Sequence, residues 1–381
     1  MMAPFLLYVA LAPDSAPQLD ATKLRAAHEH LRAHVRAGRF PGAVTLVLQN
    51  GRIAHQGVTG FADPGRQIPL RASSVFQVMS MTKPVTATAA LIAVEQGLFG
   101  LDDPIENHLP QFRGIQVRQA DGSVVAALAR PTVRQLMMHT SGITSDDPGG
   151  MSDDEKFLMT LGEYALRLGQ EPLRAQPGTE IRYSGVGYST LAAIIERRSG
   201  MTFQAFVARH IFRPLGMTET TFFLPEPQRG RLPWVMTERN GRLVEFPVNR
   251  FRAGAKFANG AGGLYSTAPD MAAFIESFRA GAPRRLLSEP MRKLALTLQT
   301  GNLLMDRTDA RGYGLGWSVI RSPRGQNTLR SVGSFGHTGA YGTEYWHDPA
   351  TGVTVVFLAQ TYGVDEGPRR QFSTMVNAAL R

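Results

Sequence analysis

Apolar positions recur at helical spacing over residues 20–38. There Leu24, Ala27, Leu31 and Val35 share one face, Asp20 stands as a candidate N-cap and Gly38 as a stop. The period then changes. Residues 43–48 form an apolar run of strand length, Asn50-Gly51 is a turn that favours positive φ, and residues 52–58 return as the second arm of a hairpin. A second pair appears near the other end, where residues 341–347 and 353–359 flank the turn Asp348-Pro349-Ala350-Thr351-Gly352. Residues 367–380 then place Phe372, Val376, Ala379 and Leu380 on one helical face. The middle reads as helices over 151–168, opened by a Ser152-x-x-Glu155 capping box, and over 187–199, 202–212 and 268–280. Strands at both ends with helices between predict an α/β fold: an antiparallel β-sheet flanked by helices plus an inserted mostly helical domain. The expected division is a sheet domain over 20–100 and 216–381, a helical domain over 101–215 and an N-terminal arm over 1–19.

Composition narrows the classes without naming one. The 381 residues are 43% hydrophobic and 19% charged, which suits a globular chain with a sizeable core. There are no cysteines, so disulfides, thiolate metal sites and cysteine nucleophiles are excluded. The net charge of +10 comes mostly from arginine, but the basic residues are scattered and form no basic-aromatic stripe. Nucleic acid is therefore not an expected partner. The apolar stretch 3–11 lacks a preceding basic residue, and no run is long enough for a transmembrane helix. A cytoplasmic protein without a membrane partner is expected. His30 and His34 stand four apart on the first helix, with no H-E-x-x-H and no further ligand evident nearby, so neither a metal ligand set nor a cofactor is expected.

Candidate chemistry begins at Ser80-Met81-Thr82-Lys83. Residues three apart share a helix face, with Cβ atoms about 5–6 Å apart, so the lysine amine comes within reach of the serine oxygen. Serine is a weak nucleophile until a neighbouring base activates it. Pro84 is tolerated only in the first turn of a helix, so a helix is expected to begin at about Ser80. The apolar or small residues over 85–94 predict that this helix is buried, and Gly97 that it stops. Ser80 would then sit where free backbone N–H groups and the positive end of the dipole gather, and burial would lower the pKa of Lys83. Further along, Tyr183-Ser184-Gly185 precedes a helix. The stretch Phe335-Gly336-His337-Thr338-Gly339-Ala340-Tyr341-Gly342 is a glycine-rich entry to the last strand pair, open to close backbone approach.

In that order, Ser80-Met81-Thr82-Lys83, Tyr183-Ser184-Gly185 and His337-Thr338-Gly339 resemble the three motifs of the serine β-lactamase and penicillin-binding-protein superfamily. The class C-like branch, with its family VIII carboxylesterases, is the nearest pattern. Supporting stretches include Met137-Met138-His139-Thr140-Ser141-Gly142, Arg213-Pro214-Leu215-Gly216-Met217 and Gly312-Tyr313-Gly314-Leu315-Gly316-Trp317, and the likeness covers about residues 22 to 380. The resemblance implies a β-lactamase/DD-peptidase-like fold and a serine hydrolase with Ser80 as the acylated nucleophile. By the same likeness, Lys83 hydrogen-bonds Ser80 and keeps Tyr183 partly ionised. Tyr183 serves as general base, the two acting as one coupled unit. The backbone N–H groups of Ser80 and Ala340 form the oxyanion hole, and substrate contacts fall to Gly185, His337, Thr338, Gly339, Tyr341 and Trp346.

Two departures from the family pattern bear on substrate. The tyrosine motif usually ends in asparagine, which contacts the amide side chain of β-lactams and peptides, and here Gly185 stands in its place. The third motif often carries lysine, and His337 is a weaker anchor for a carboxylate. Both favour small uncharged esters, of short to medium acyl chain, over β-lactams or D-Ala-D-Ala peptides. The alternatives are a β-lactamase, a carboxypeptidase or D-aminopeptidase relative, and a non-catalytic sensor or structural protein. The intact Ser80, Lys83 and Tyr183 argue against the last. No G-x-S-x-G, P-loop or Rossmann G-x-G-x-x-G is present.

Overall fold

The structure, a computed structural model, describes residues 17–305, 310–322 and 329–381. The apolar stretch 3–11 lies outside the described residues. Helix α1 (Ala21–Arg36) starts at the expected cap, where the Asp20 carboxylate accepts from the Thr22 and Lys23 amides. The hairpin follows as β1 (Gly42–Gln49) and β2 (Arg52–Asp63), and β2 pairs on with the short β3 (Ile68–Pro69). From the other end of the chain come β4 (Arg311–Tyr313), β5 (Ser318–Ile320), β6 (Phe335–Gly339), β7 (Thr343–Asp348) and β8 (Val353–Leu358). They assemble in the order β4-β5-β6-β7-β8-β1-β2-β3, every pair antiparallel. The junction β8·β1 joins the chain's two ends in register, Val44 opposite Leu358 and Leu46 opposite Val356.

Strand alternation sorts side chains onto two faces. Val44, Leu46, Tyr345, Val356 and Leu358 face one core, with helices α2 (Thr82–Glu95) and α6 (Ala268–Glu276). Ala43, Val47, Trp346, Val355 and Phe357 face the other, closed by α1 and α8 (Gly367–Asn377). Both faces of β1 are therefore covered, which is why it reads as a continuous apolar run. Helix α2 is buried from Thr82 to Ala93, as its all-round apolar sequence requires. It packs against α5 (Gly185–Ser199), and α5 against α3 (Val133–Met137) and the helix Leu161–Leu168.

Several predicted boundaries shift for identifiable reasons. The helix expected over 151–168 breaks into Asp153–Leu158 and α4 (Leu161–Leu168). A second capping box, Thr160 with Glu163, starts a new helix after Met159 turns extended at ψ 158°. Helix α5 begins two residues earlier than expected because Ser184 caps it, accepting from Gly187 N–H at 3.0 Å. Strand β7 begins at Thr343, since Gly342 turns at φ +74° to link it to β6. No helix among the described residues is long and apolar enough to cross a membrane.

Candidate active site

Ser80 lies in a 3-10 turn, Met79–Met81, that leads directly into α2, so the regular helix begins two residues later than the sequence predicts. Pro84 then falls in the first helical turn, where its missing N–H costs nothing. Met79, just before Ser80, is held at φ +49°, an uncommon conformation for a non-glycine residue. Neighbouring elements hold it there. Thr343 Oγ1 donates to Val78 O at 3.0 Å, Tyr345 Oη donates to Met81 O at 3.0 Å, and Leu264 N–H donates to Thr82 Oγ1 at 3.2 Å. Strand β7 and the 259–264 loop thus both hold the turn.

Lys83 is buried and donates to Ser80 Oγ at 2.9 Å and to Ala261 O at 2.9 Å. Burial pulls its pKa down from the ordinary lysine value to about 7. The ammonium lies 4.7 Å from the centre of the Tyr183 ring. Tyr183 is 43% exposed, on the open side of the cleft. Protein packed around its phenol nevertheless pushes the pKa up to about 12, against the lowering effect of a hydrogen bond with Ser80. Burial thus acts in opposite directions on the pair, favouring the neutral amine of Lys83 and the neutral phenol of Tyr183.

The tyrosine is held from behind by a residue that sequence reading left without a role. His139 is buried and sits at φ +60°. Its carbonyl accepts from Arg182 N–H at 2.8 Å and its Nδ1 accepts from Ser184 N–H at 3.0 Å, so the two amides flanking Tyr183 are both tied to His139. Because Nδ1 accepts, the ring hydrogen is on Nε2, which has no hydrogen-bond partner. The imidazole packs among Tyr183, Tyr188 and Tyr313 at centroid distances of 4.5, 5.1 and 4.8 Å. Burial and the nearby Lys83 hold its pKa well below the usual histidine value. Ser184 adds a second tether through its hydroxyl, which donates to Thr144 O at 2.6 Å. The available signal was the Met138-His139-Thr140-Ser141-Gly142 stretch itself. Its partner lies 45 positions away, beyond any local spacing rule.

Across the cleft runs β6. His337 is buried and lies 6.3 Å from Tyr183, ring to ring. Its Nδ1 contacts Thr338 O at 2.7 Å, and since a carbonyl only accepts, Nδ1 carries the hydrogen and Nε2 is left as a bare acceptor. Burial, reinforced by Lys83, lowers its pKa to about 3. Thr338 is exposed, and Gly339 approaches the serine turn so closely that a Cβ there would lie 2.4 Å from Val78 O. Tyr341 is buried at the strand turn. Gly185 starts α5 beside Ala261, where an added Cβ would sit 3.3 Å from Ala261 Cβ.

Trp346 does not join this group. It points to the opposite face of the sheet and is fully buried between α1 and α8, with its indole N–H donating to Ser373 Oγ at 3.2 Å. The expectation that it contacts substrate fails because the strand period puts Tyr345 and Trp346 on opposite faces.

A cavity of about 250 Å³ opens from Tyr183 and His337 along the sheet edge, walled by Arg311, Tyr313 and Arg330. The Beta-lactamase family pattern matches residues 27–378 of this sequence. The chain belongs to the beta-lactamase family. Among its relatives, Esterase EstB of Burkholderia gladioli is 30% identical over 374 residues, covering 91% of this chain and 93% of the esterase. The D-alanyl-D-alanine-carboxypeptidase/endopeptidase AmpH of Escherichia coli (strain K12) is 27% identical over 77% of this chain and 73% of its own length. Among solved structures, EstCE1, a hydrolase with promiscuous acyltransferase activity, superposes with a TM-score of 0.81 over 94% of this chain and 99% of its own, at 23% identity. That likeness is one of fold. Beta-lactamase family membership and the relation to the esterase make the chain a serine hydrolase.

Proposed function

We propose that this protein is a carboxylesterase that hydrolyses esters of short to medium acyl chain through an acyl-enzyme on Ser80. The observation that carries the reading is the Lys83 amine, 2.9 Å from Ser80 Oγ and brought by burial to a pKa of about 7. As a free amine it keeps one N–H on Ala261 O and turns its lone pair to the serine hydroxyl. The Ser80 proton passes to Lys83 while Oγ attacks the ester carbonyl carbon. The resulting oxyanion faces the backbone N–H groups of Ser80 and Ala340. Collapse expels the alcohol, which takes the proton from Lys83 by way of Tyr183. Water then attacks the acyl group, with the same pair accepting its proton and returning it to Ser80.

Preference for an uncharged ester is supported by three features. Gly185 offers no side-chain amide for a β-lactam or peptide amide group. His337 presents a lone pair, where a cation would be needed to hold a carboxylate. The relative at 30% identity is an esterase. A carboxypeptidase-like reading draws on a different observation, the relation to the D-alanyl-D-alanine-carboxypeptidase/endopeptidase AmpH; in the cavity beside Tyr183 the Arg330 charge is already offset by Glu344 at 3.5 Å.

Paired assays separate the two. Incubation with p-nitrophenyl acetate and butyrate should give turnover that Ser80→Ala lowers by at least roughly 1,000-fold. A chromogenic cephalosporin and a D-Ala-D-Ala peptide should be turned over slowly or not at all. Cephalosporin or peptide turnover with negligible ester hydrolysis would sink the ester reading, and a fluorophosphonate adduct on another serine would overturn the site.

A further inference from the structure

The outer face of the sheet carries a second cluster of donor atoms, remote from Ser80. His30 and His34 project from α1, and Gln371 reaches them from α8. His30 Nε2 and His34 Nε2 are 3.2 Å apart, and Gln371 Oε1 lies 2.7 Å from the first and 3.3 Å from the second. The two rings meet edge to face at 79°. Both histidines are half-buried, and the mouth of the cluster opens to solvent beside Arg370, Thr374 and Met375. Arg370 stands 3.7 Å from Asp365 and 3.8 Å from Glu366, which offset its charge.

Hydrogen bonding uses this arrangement only in part. With His30 Nε2–H on the Gln371 oxygen at 2.7 Å, the His34 Nε2 lone pair has only that same N–H, at 3.2 Å, as a donor within the cluster. A cation would use all three atoms, because each can present a lone pair to it. Zinc binds imidazole nitrogen at about 2.0–2.1 Å in tetrahedral sites, which spaces neighbouring ligands about 3.3–3.4 Å apart. The 3.2 and 3.3 Å edges match that spacing, and the 2.7 Å edge widens by rotation of the exposed Gln371 side chain. Among the described residues no group of three His, Cys, Asp or Glu gathers as a metal site. The third ligand here is an amide from a helix some 340 positions away.

We propose that His30, His34 and Gln371 form a site for a divalent transition cation of the zinc class, with water completing the shell. The ion would staple α1 to α8, the first and last helices of the described chain, which already meet through the Asp20–Arg381 ion pair and the Asp20 N–H to Ala379 O bond. A cation held only by the folded form raises stability by mass action.

The test uses protein without a polyhistidine tag, stripped with chelator and titrated with zinc chloride by calorimetry. One saturable equivalent with a Kd below roughly 100 µM is expected, together with a melting temperature that rises with zinc. His30→Ala and His34→Ala should weaken binding at least about tenfold. Gln371→Ala should weaken it as well, and Gln371→Glu, which supplies a carboxylate, should tighten it. Unchanged ester hydrolysis in these variants checks that they fold. Absence of saturation up to millimolar zinc would overturn the proposal. So would binding that survives His34→Ala, or that responds to neither Gln371 substitution.

Discussion

At the scale of single residues, the site is governed by what burial does to three nitrogens. Lys83, His139 and His337 are all shielded from water, and all three lose basicity. Burial favours the neutral form of both imidazoles, so of these three groups Lys83 is the one brought close to neutrality. The sign of the pH dependence follows. Below about pH 7 Lys83 is an ammonium and has no lone pair for the Ser80 proton, so kcat/KM should fall about tenfold per unit as the pH drops. It should level off at about pH 8 and hold, since the Tyr183 phenol titrates far above. A pH–rate profile on an ester substrate measures this, and an acid limb placed at pH 5 or lower would show that Lys83 is not the acceptor. His139 is expected to act through Tyr183. Asparagine tolerates the positive φ and can offer its Oδ1 to the Ser184 N–H, but it removes the ring that backs Tyr183. His139→Asn should therefore fold, keep its KM and lose roughly 10- to 100-fold in kcat. His139→Ala, which orphans the buried amide, should in addition lose about 1–3 kcal/mol of stability. Steady-state kinetics beside thermal melts separate the two effects.

At the scale of elements, the nucleophile is placed less by its own helix than by the strands that grip its turn. Strand β7 holds the carbonyls of Val78 and Met81, and β6 passes so close that only glycine fits at 339. A methyl group there would lie 2.2 Å from Thr343 Oγ1 and 2.4 Å from Val78 O, two positions before Ser80. Gly339→Ala must push β6 away from the serine turn, and with it Ala340 of the proposed oxyanion hole. A loss of about 100-fold in kcat is expected from such a displacement, with overpacking costing about 1–3 kcal/mol. A variant with wild-type kcat would show that the oxyanion site does not depend on this approach. The elements themselves were mostly readable. Period and capping residues located α1, α2, β1, β2, β8 and α8 to within a few residues. Where a boundary slipped, a side chain formed a cap that local spacing offered but did not select, as with Thr160 and Ser184.

At the scale of the whole molecule, one sheet separates two tasks. Its inner-face strand β6, the start of α2 and the entry to α5 carry the proposed catalytic groups. Its outer face, with α1 and α8, is a separate apolar layer closed by Trp346, Phe357 and Phe372. Trp346→Ala should accordingly cost about 3–5 kcal/mol of stability and leave the KM for small esters unchanged, as chemical denaturation and kinetics on the surviving folded fraction can show. A raised KM at full stability would return Trp346 to the substrate site. The amino-acid order by itself determined the chemistry available: a serine and lysine one helical turn apart, a tyrosine before a capped helix, a glycine-rich strand, and the apolar faces that had to be covered. Those are local properties, set by periodicity and side-chain type. The tertiary structure alone decided which groups met, because contacts between distant positions depend on packing and register. It set Lys83 in a dry pocket under Ala261, placed His139 behind Tyr183, turned Trp346 away from the cleft, and carried Gln371 to His30 and His34. The reason is burial: the shift of each titratable group depends on the solvent it loses, and that loss exists only once the chain has closed around it.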